Sequence, residues 1–137
     1  DVTGGEIFLR RDAIELLGYD LELPGGETVG PGQTFYVTWY WRARARPPGA
    51  QTIFLHVDGA GKRLNGDHVP VDGLVPVQMW DPGDVIVDRQ LLVVPADFRA
   101  GTYTFYIGFF SGENRLPVTA GPKDDSNRAI AGTLVVR

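Results

Sequence analysis

The chain has 137 residues, of which 43% are hydrophobic, and its formal net charge at pH 7 is −4. That charge argues against a nucleic-acid partner, because sequence-independent binding to DNA or RNA needs a broad positive field. The absence of cysteine excludes a disulfide framework, a thiol nucleophile and a thiolate metal site.

The 18 glycines and 10 prolines indicate many turns rather than long helices. The length fits a single domain over residues 1–137, and no apolar run approaches the ~18 residues of a membrane-spanning helix, so we expect no direct membrane insertion. Residues 6–12 are either a first edge strand or a lead-in. Residues 13–23 are a stronger strand candidate, which a Pro-Gly-Gly turn ends.

Residues 33–46 form the clearest predicted strand, because apolar and polar side chains alternate along it. Period two places Trp39 and Trp41 on the side of the core. The same alternation places Tyr36 and Tyr40 on the opposite side, where their rings could face a ligand.

Residues 51–58 predict the next strand, with Phe54 and His56 on the face away from the core. A glycine-rich hairpin loop then leads into a returning strand at residues 63–69. In a regular hairpin His56 and His68 would stand more than ~10 Å apart along the strands. That separation is too large for one shared zinc ion, so no metal site is predicted.

Residues 70–83 contain three prolines, which a central strand does not tolerate. We predict a long loop that crosses between two sheets. Trp80 in this loop either plugs one end of the fold or stacks on a ligand, and plugging is the favoured interpretation.

Three further strands are predicted at residues 84–94, 102–110 and 129–136. Tyr103 follows an Asp and a Gly in the order of a tyrosine corner, in which the hydroxyl bonds to upstream backbone. This alternation of turns and strands predicts an all-β fold, an immunoglobulin-like or carbohydrate-binding-module-like antiparallel β-sandwich of about seven to nine strands.

Several motifs match a known family pattern in sequence order. They are LLGYDL (16–21), VGPGQTFYVTWYWRA (29–43), TIFLHVDGAGKRL (52–64), the run over residues 80–110, and RLPV (115–118). Together they resemble the extracytoplasmic β-sandwich domains appended to bacterial multi-pass membrane proteins of the glycosyltransferase type. The chain departs from that pattern at Asp67-His68, where the family tends to show His-Asp and a proline-rich loop.

The resemblance implies a sandwich fold, an extracytoplasmic location (periplasmic, cell-surface or secreted) and contact with glycans. It transfers no catalytic residue and no cofactor. The residues themselves also supply little for catalysis, because Ser111 and Ser126 lie in turn-rich segments outside any G-x-S-x-G context. We therefore expect a protein that is not an enzyme, with no metal and no cofactor.

Carbohydrate binding is the sharper functional hypothesis, since aromatic faces flanked by hydrogen-bonding groups suit sugars. The candidate stacking residues are Tyr36, Tyr40, Phe54 and Trp80, and the candidate hydrogen-bonding residues are His56, Asp67, His68 and Arg89. We expect the outward aromatic residues of the two consecutive strands to share one surface. The domain would then be a non-catalytic accessory module of the bacterial cell envelope.

The alternative is a protein-protein docking domain of a larger membrane or secreted protein. In that case the outward aromatic surface would be covered by the parent protein or by a partner chain.

Overall fold

The computed structural model describes the backbone of residues 7–9 and the backbone and side chains of residues 13–137. Within this part of the chain there are ten β-strands and one short 3-10 turn, at Val77–Met79. The strands are β1 Ile7–Leu9, β2 Ile14–Glu22, β3 Thr34–Ala43, β4 Thr52–Gly59, β5 Lys62–Asn65, β6 Val85–Val93, β7 Gly101–Ser111, β8 Asn114–Arg115, β9 Val118–Ala120 and β10 Ala129–Val136.

The strands form two antiparallel sheets that pack face to face. The first sheet has the order β6-β3-β2-β1-β9, and the second has the order β10-β7-β4-β5, with β8 paired to β7. This confirms the predicted all-β sandwich, although the described residues hold ten strands and not the predicted seven to nine. The short strands β8 and β9 are pairings of two and three residues, a length over which hydrophobic alternation carries little signal.

Three predicted strand details differ from the structure. The returning strand predicted at residues 63–69 is β5, which ends at Asn65, and beyond it His68 makes only an isolated bridge to Ile53. Residues 7–9 form a strand, but β1 lies between β2 and β9 rather than at a sheet edge; residues 6 and 10–12 of that prediction lie outside the described residues. The strand predicted to run to residue 46 ends at Ala43. Beyond it the amides of Arg44 and Ala45 both donate to the Ala13 carbonyl. The one-to-one pairing with β2 therefore ends there, and Ala45 is exposed.

The core lies between the two sheets, and its centre is aromatic. On β3, Trp39 and Trp41 are fully buried, as predicted. The Trp39 ring meets Phe105 of β7 at 5.8 Å between centroids, and the Trp41 ring meets Phe109 of β7 at 4.9 Å, both edge to face. Because aromatic side chains bury large areas, these contacts join the sheets at their centres.

The β4–β5 hairpin closes through Ala60 and Gly61, whose φ angles are 48° and 72°. Two consecutive residues with positive φ are the signature of a type I′ turn, whose twist matches that of the flanking strands. The hairpin fixes His56 opposite Asn65 and so sets where the chain leaves β5.

Tyr103 forms the predicted tyrosine corner. Its fully buried ring stacks on Phe98 at 4.4 Å. Its hydroxyl donates to the Arg99 carbonyl at 2.8 Å and accepts from the Arg99 amide at 3.0 Å. The corner therefore holds the turn that leads into β7.

Replacing this hydroxyl tests the corner. We expect Tyr103→Phe to lower the free energy of unfolding by about 1–3 kcal/mol, because two backbone groups of Arg99 lose their partner. Tyr106→Phe on the same strand is the matched control, since the Tyr106 hydroxyl makes no hydrogen bond among the described residues. Urea unfolding measures both, and equal losses in the two variants would refute a stabilising corner.

Candidate functional site: a polar groove on the second sheet

The outward aromatic residues do not share one surface. Tyr36 and Tyr40 lie on β3 of the first sheet, whereas Phe54 and His56 lie on β4 of the second sheet. The expectation of one shared surface is therefore wrong. Its premise fails because these consecutive strands are not hydrogen-bonded neighbours, and their outer faces point to opposite sides of the sandwich.

Trp80 is buried in the core and offers no ring face to a ligand. It is 0% exposed, its indole nitrogen donates to the Val75 carbonyl at 3.1 Å, and its ring lies 6.0 Å from that of Phe109. The plugging interpretation is confirmed, and Trp80 is removed from the ligand-contact set. The indole also anchors the crossing loop to the sandwich.

His68 points into the edge of the sandwich rather than toward a ligand surface. Its Nε2 lies 2.5 Å from Asp88 Oδ2 on β6, and its Nδ1 lies 2.9 Å from the Gly66 carbonyl. Asp88 is only 1% exposed and also accepts the Val71 amide at 2.8 Å. With both ring nitrogens donating to oxygen, His68 joins the two sheets as an imidazolium.

Arg89 and the two tyrosines form a separate cluster on the outer face of the first sheet. The Arg89 guanidinium lies 3.5 Å above the Tyr36 ring and makes two hydrogen bonds to Glu22. The Tyr40 hydroxyl donates to Asp20 at 2.7 Å, which raises the pKa of Tyr40. The predicted polar contacts of this cluster are thus made within the protein.

The remaining predicted residues meet in a groove of about 620 Å³ on the outer face of the second sheet. We call it the polar groove, and its lining consists of Phe54, His56, Asp67, Phe110, residues 112–115 and residues 125–127. Its volume lies within the roughly 300–1,000 Å³ of small-molecule sites. Phe54, His56 and Asp67, which the sequence singled out, are brought together here.

The floor of the polar groove is aromatic but only partly accessible. The Phe54 ring lies over Gly108, where an added Cβ would stand 2.5 Å from the ring, and the Arg115 guanidinium covers it at 4.6 Å. Phe54 is consequently 2% exposed. Phe110 is half-buried and is the ring that a bound molecule can touch.

Two loops form the walls, and hydrogen bonds to their backbones hold them. Asp124 Oδ1 accepts the amides of Ser126 and Arg128, each at 3.0 Å, which shapes residues 124–128 as a tight polar turn. Arg115 crosses from the β7–β8 hairpin to the Ser126 carbonyl at 2.8 Å. The two walls are therefore joined before any ligand arrives.

His56 contributes a hydrogen-bond donor to the groove. Arg128 lies 3.2 Å from His56 Nδ1 and donates to it, so the ring is neutral with its proton on Nε2. Burial, Arg63 and Arg128 lower the pKa of His56, which favours the neutral form of the ring. Among the described residues Nε2 has no hydrogen-bond partner.

Arg128 is held by two carboxylates in addition to its contact with His56. It donates to Asp58 at 3.0 Å and to Asp124 at 2.7 Å, and it lies 3.9 Å from the Tyr106 ring centroid. Although burial alone would raise the pKa of Asp58, hydrogen bonds from Arg63 and Arg128 lower it. Asp58 therefore stays charged and fixes the arginine.

Asp67 lies at the rim of the groove and is exposed. Its Oδ1 accepts the Leu55 amide at 3.1 Å, which orients the carboxylate, while Oδ2 has no partner among the described residues. The neighbouring His68 points the other way, into the sandwich. Although Asp67 and His68 are adjacent in sequence, Asp67 therefore faces the polar groove and His68 faces the contact between the two sheets.

Sequence reasoning missed the loop side chains of the site, which are Glu113, Asn114, Arg115, Asp125, Ser126 and Asn127. Both loops read as polar turns in the sequence. The signal that could have found them is pairing: β7 runs directly into the first loop, the second loop leads into β10, and β7 and β10 are neighbours. Recognising that pairing would have placed both loops at one end of the second sheet.

The described residues hold no cluster of three or more side chains suited to a metal ion. Neither serine hydroxyl is hydrogen-bonded to a histidine in the part of the chain that the structure describes. No helix within the described ranges has the length and apolar character needed to cross a membrane.

Comparison with known proteins identifies the fold alone. No protein-family model matches the sequence, and no curated protein matches it. Among solved structures, the crystal structure of the C-terminal domain of wzt is similar with a TM-score of 0.64 at 14% identity, covering 99% of this chain and 80% of that chain. The shared fold agrees with the β-sandwich that the sequence resemblance implied, whereas the glycosyltransferase-type context stays a prediction.

The two histidines of the chain should titrate in opposite directions. Burial alone would lower the pKa of His68, but the Asp88 carboxylate and the Gly66 carbonyl outweigh it and raise the pKa above 6.5. The pKa of His56 lies below 6.5. Proton NMR titration should show this order, and Asp88→Asn should lower the pKa of His68 while leaving that of His56 in place.

The same shifts predict how stability depends on pH. His68 binds its proton more tightly when folded, so its contribution is complete below about pH 6.5 and is lost as pH rises through its folded pKa. His56 contributes above about pH 6.5 and loses that contribution as pH falls through its lowered pKa. The loss of stability in Asp88→Asn, measured by urea unfolding, should therefore be larger at pH 5 than at pH 9. A pH-independent loss would contradict the charged pair.

Proposed function

We propose that this domain is a non-catalytic accessory module that binds a glycan in the polar groove. One observation carries the proposal: a half-buried ring, Phe110, is surrounded in one groove by carboxylate, amide and imidazole groups. Rings that cover the apolar face of a sugar, with polar groups around them, match the amphipathic surface of a saccharide.

The arrangement of the polar groups supports a polyhydroxylated ligand. His56 Nε2 is a donor and Asp67 Oδ2 is an acceptor, and Asn114 and Asn127 each supply both kinds of group. Asn127 is held at a φ of 55° by its turn, so its side chain is positioned by the backbone. A ligand with several adjacent hydroxyls can satisfy donors and acceptors together.

A binding role is also favoured by how the candidate acid-base groups are used. Both ring nitrogens of His68 are bonded to oxygen, and His56 accepts from a positively charged arginine. A histidine in either state is a poor general base near neutral pH. These contacts suit a structural role for His68 and a donor role for His56.

We further propose an extracytoplasmic location in the cell envelope, which rests on the family resemblance. The similar solved structure is a C-terminal domain by its title, and that supports a module carried by a larger protein. Fractionation of the source cells with an antibody against this domain tests the location, and recovery from the cytosolic fraction alone would contradict it.

Binding is tested by titrating isotope-labelled domain with soluble oligosaccharides and following amide shifts. We expect perturbations at residues 112–115 and 125–127. Phe110→Ala and Asn114→Ala should each weaken affinity about five- to tenfold, as expected for one lost contact of about 1 kcal/mol. Tyr36→Ala is the matched control, because it removes a half-buried ring from the opposite face and should leave affinity unchanged.

The outcome against the proposal is equally definite. If a broad panel of neutral, amino and acidic oligosaccharides produces no shift in the groove, glycan binding is wrong. If shifts cluster around Tyr36 and Tyr40 instead, the binding face is that of the first sheet.

The charge of the groove predicts which glycans bind. Asp67, Glu113 and Asp125 are carboxylates at its rim, while Arg115, its one cation among the described lining residues, already bonds to the Ser126 carbonyl. We expect neutral or amino sugars to bind more tightly than uronic acids at low salt, with the difference shrinking as salt screens the carboxylates. Calorimetry at two ionic strengths measures the affinities for the two kinds of sugar. In the double variant Glu113→Gln with Asp125→Asn, the difference between these affinities should be smaller.

A further inference from the structure

Strand β6 is an open edge of the first sheet. On its inner side it pairs with β3 from Val85 to Val93 without a bulge. The Val94 amide donates to the Gln33 carbonyl, and the Gly32 amide donates to the Val94 carbonyl. Antiparallel ladders alternate, so even-numbered residues of β6 bond to β3 and the odd-numbered backbone groups point away from the sheet.

Those odd-numbered residues also carry exposed apolar side chains. Val85, Val87 and Leu91 are each 53% exposed, and Val93 is 54% exposed. Natural edge strands are usually protected by lysine, proline, a bulge or short length. β6 has nine residues with no lysine, proline or bulge, and its only charges are Asp88, which is buried and bonded to His68, and Arg89.

The other described edges differ from β6. β5 has only four residues and β9 only three. The outer side of β10 is partly covered, because the Val29 amide donates to the Val135 carbonyl and the Arg137 amide donates to the Val29 carbonyl. β6 is thus the long edge whose backbone groups lack partners in the described part of the chain.

The exposed apolar residues of β6 are arranged symmetrically about Arg89. Reading outward from Arg89, the next exposed residues are Val87 on one side and Leu91 on the other, followed by Val85 and Val93. An antiparallel copy centred on Arg89 would place Val87 opposite Leu91 and Val85 opposite Val93, with Arg89 opposite its own copy. In the same register, the unpaired backbone groups of the odd-numbered residues would face those of the second copy. One register therefore satisfies both the side-chain contacts and the backbone hydrogen bonds.

Arg89 does not oppose such a pairing. Its guanidinium lies over Tyr36 of β3 and makes two hydrogen bonds to Glu22 of β2. The charge is therefore paired with a carboxylate and points across the outer face, away from the open edge. Two copies of this arginine at a symmetry axis would each keep their own carboxylate. The like-charge repulsion that usually guards an edge is therefore reduced.

We infer that β6 is a docking edge for a second copy of this chain, joined antiparallel about a two-fold axis at Arg89. The two first sheets become one continuous sheet across an interface about 30 Å long with on the order of ten backbone hydrogen bonds. A self-complementary strand meets the condition for a closed two-fold dimer, in which one patch serves both partners. The polar groove lies on the other sheet, so this inference does not depend on the proposed function.

The test is sedimentation of the purified chain from low micromolar to millimolar concentration. The contact is narrow compared with obligate interfaces, so we expect half-association on the order of 100 µM. Val87→Lys and Leu91→Lys should each remain monomeric over the whole range. Val135→Lys is the matched control, because Val135 is a 42% exposed strand valine on the edge strand of the other sheet and should associate like the wild type.

Hydrogen exchange on the unmutated chain separates this edge from any other. The amides of Val87, Arg89 and Leu91 should exchange quickly in dilute solution and become protected as concentration rises. The amides of Asp88 and Gln90 should be protected at both concentrations, because they bond to β3. A chain that stays monomeric at millimolar concentration, a control that loses association equally, or protection appearing at β5 or β10 instead would each overturn the inference.

Discussion

The structure depends on the contact between two aromatic ladders, one on β3 and one on β7. Trp39 meets Phe105 and Trp41 meets Phe109 across the sandwich. Because side chains alternate along a strand, fixing these rings inward also fixes which residues face outward on both sheets. A slip of one residue in β3 would turn the tryptophans outward and bring Arg42 toward the core, and a slip in β7 would turn Phe105 and Phe109 outward. The outer faces are therefore set by the core.

The polar groove shows how such a core positions a surface. With the core side chains of β4 and β7 held inward, His56 and Phe110 must face out, and Phe54 lies on the open space over Gly108. The loops that complete the groove begin at strands already in register. Hydrogen bonds from Arg115 and to Asp124 then hold those loops, so the polar groups of the groove are positioned by contacts within the protein and need little further ordering.

Alternation in the sequence predicted which side chains point between the sheets. It predicted neither which strands are neighbours nor that Phe54 and His56 on the outer face are covered, at 2% and 7% exposed. Trp39, Trp41 and Tyr103 were placed correctly because period two and the tyrosine corner are local signals. The prediction that Tyr36 and Phe54 share one face failed because strand order is set by long-range packing. His68 shows the same limit: its partner Asp88 is distant in sequence, and only the crossing of the chain between sheets joins them.

The way the groove walls are held has a consequence for how this fold can diversify. The contacts that shape the walls end on backbone atoms, such as the Ser126 carbonyl and the Ser126 amide. The exposed side chains of Glu113, Asn114 and Asp125 take no part in that scaffolding. Substitutions at these three positions leave in place the contacts that hold the loops, while they change the charge and the hydrogen-bonding groups of the groove, so the same positions suit a designed library.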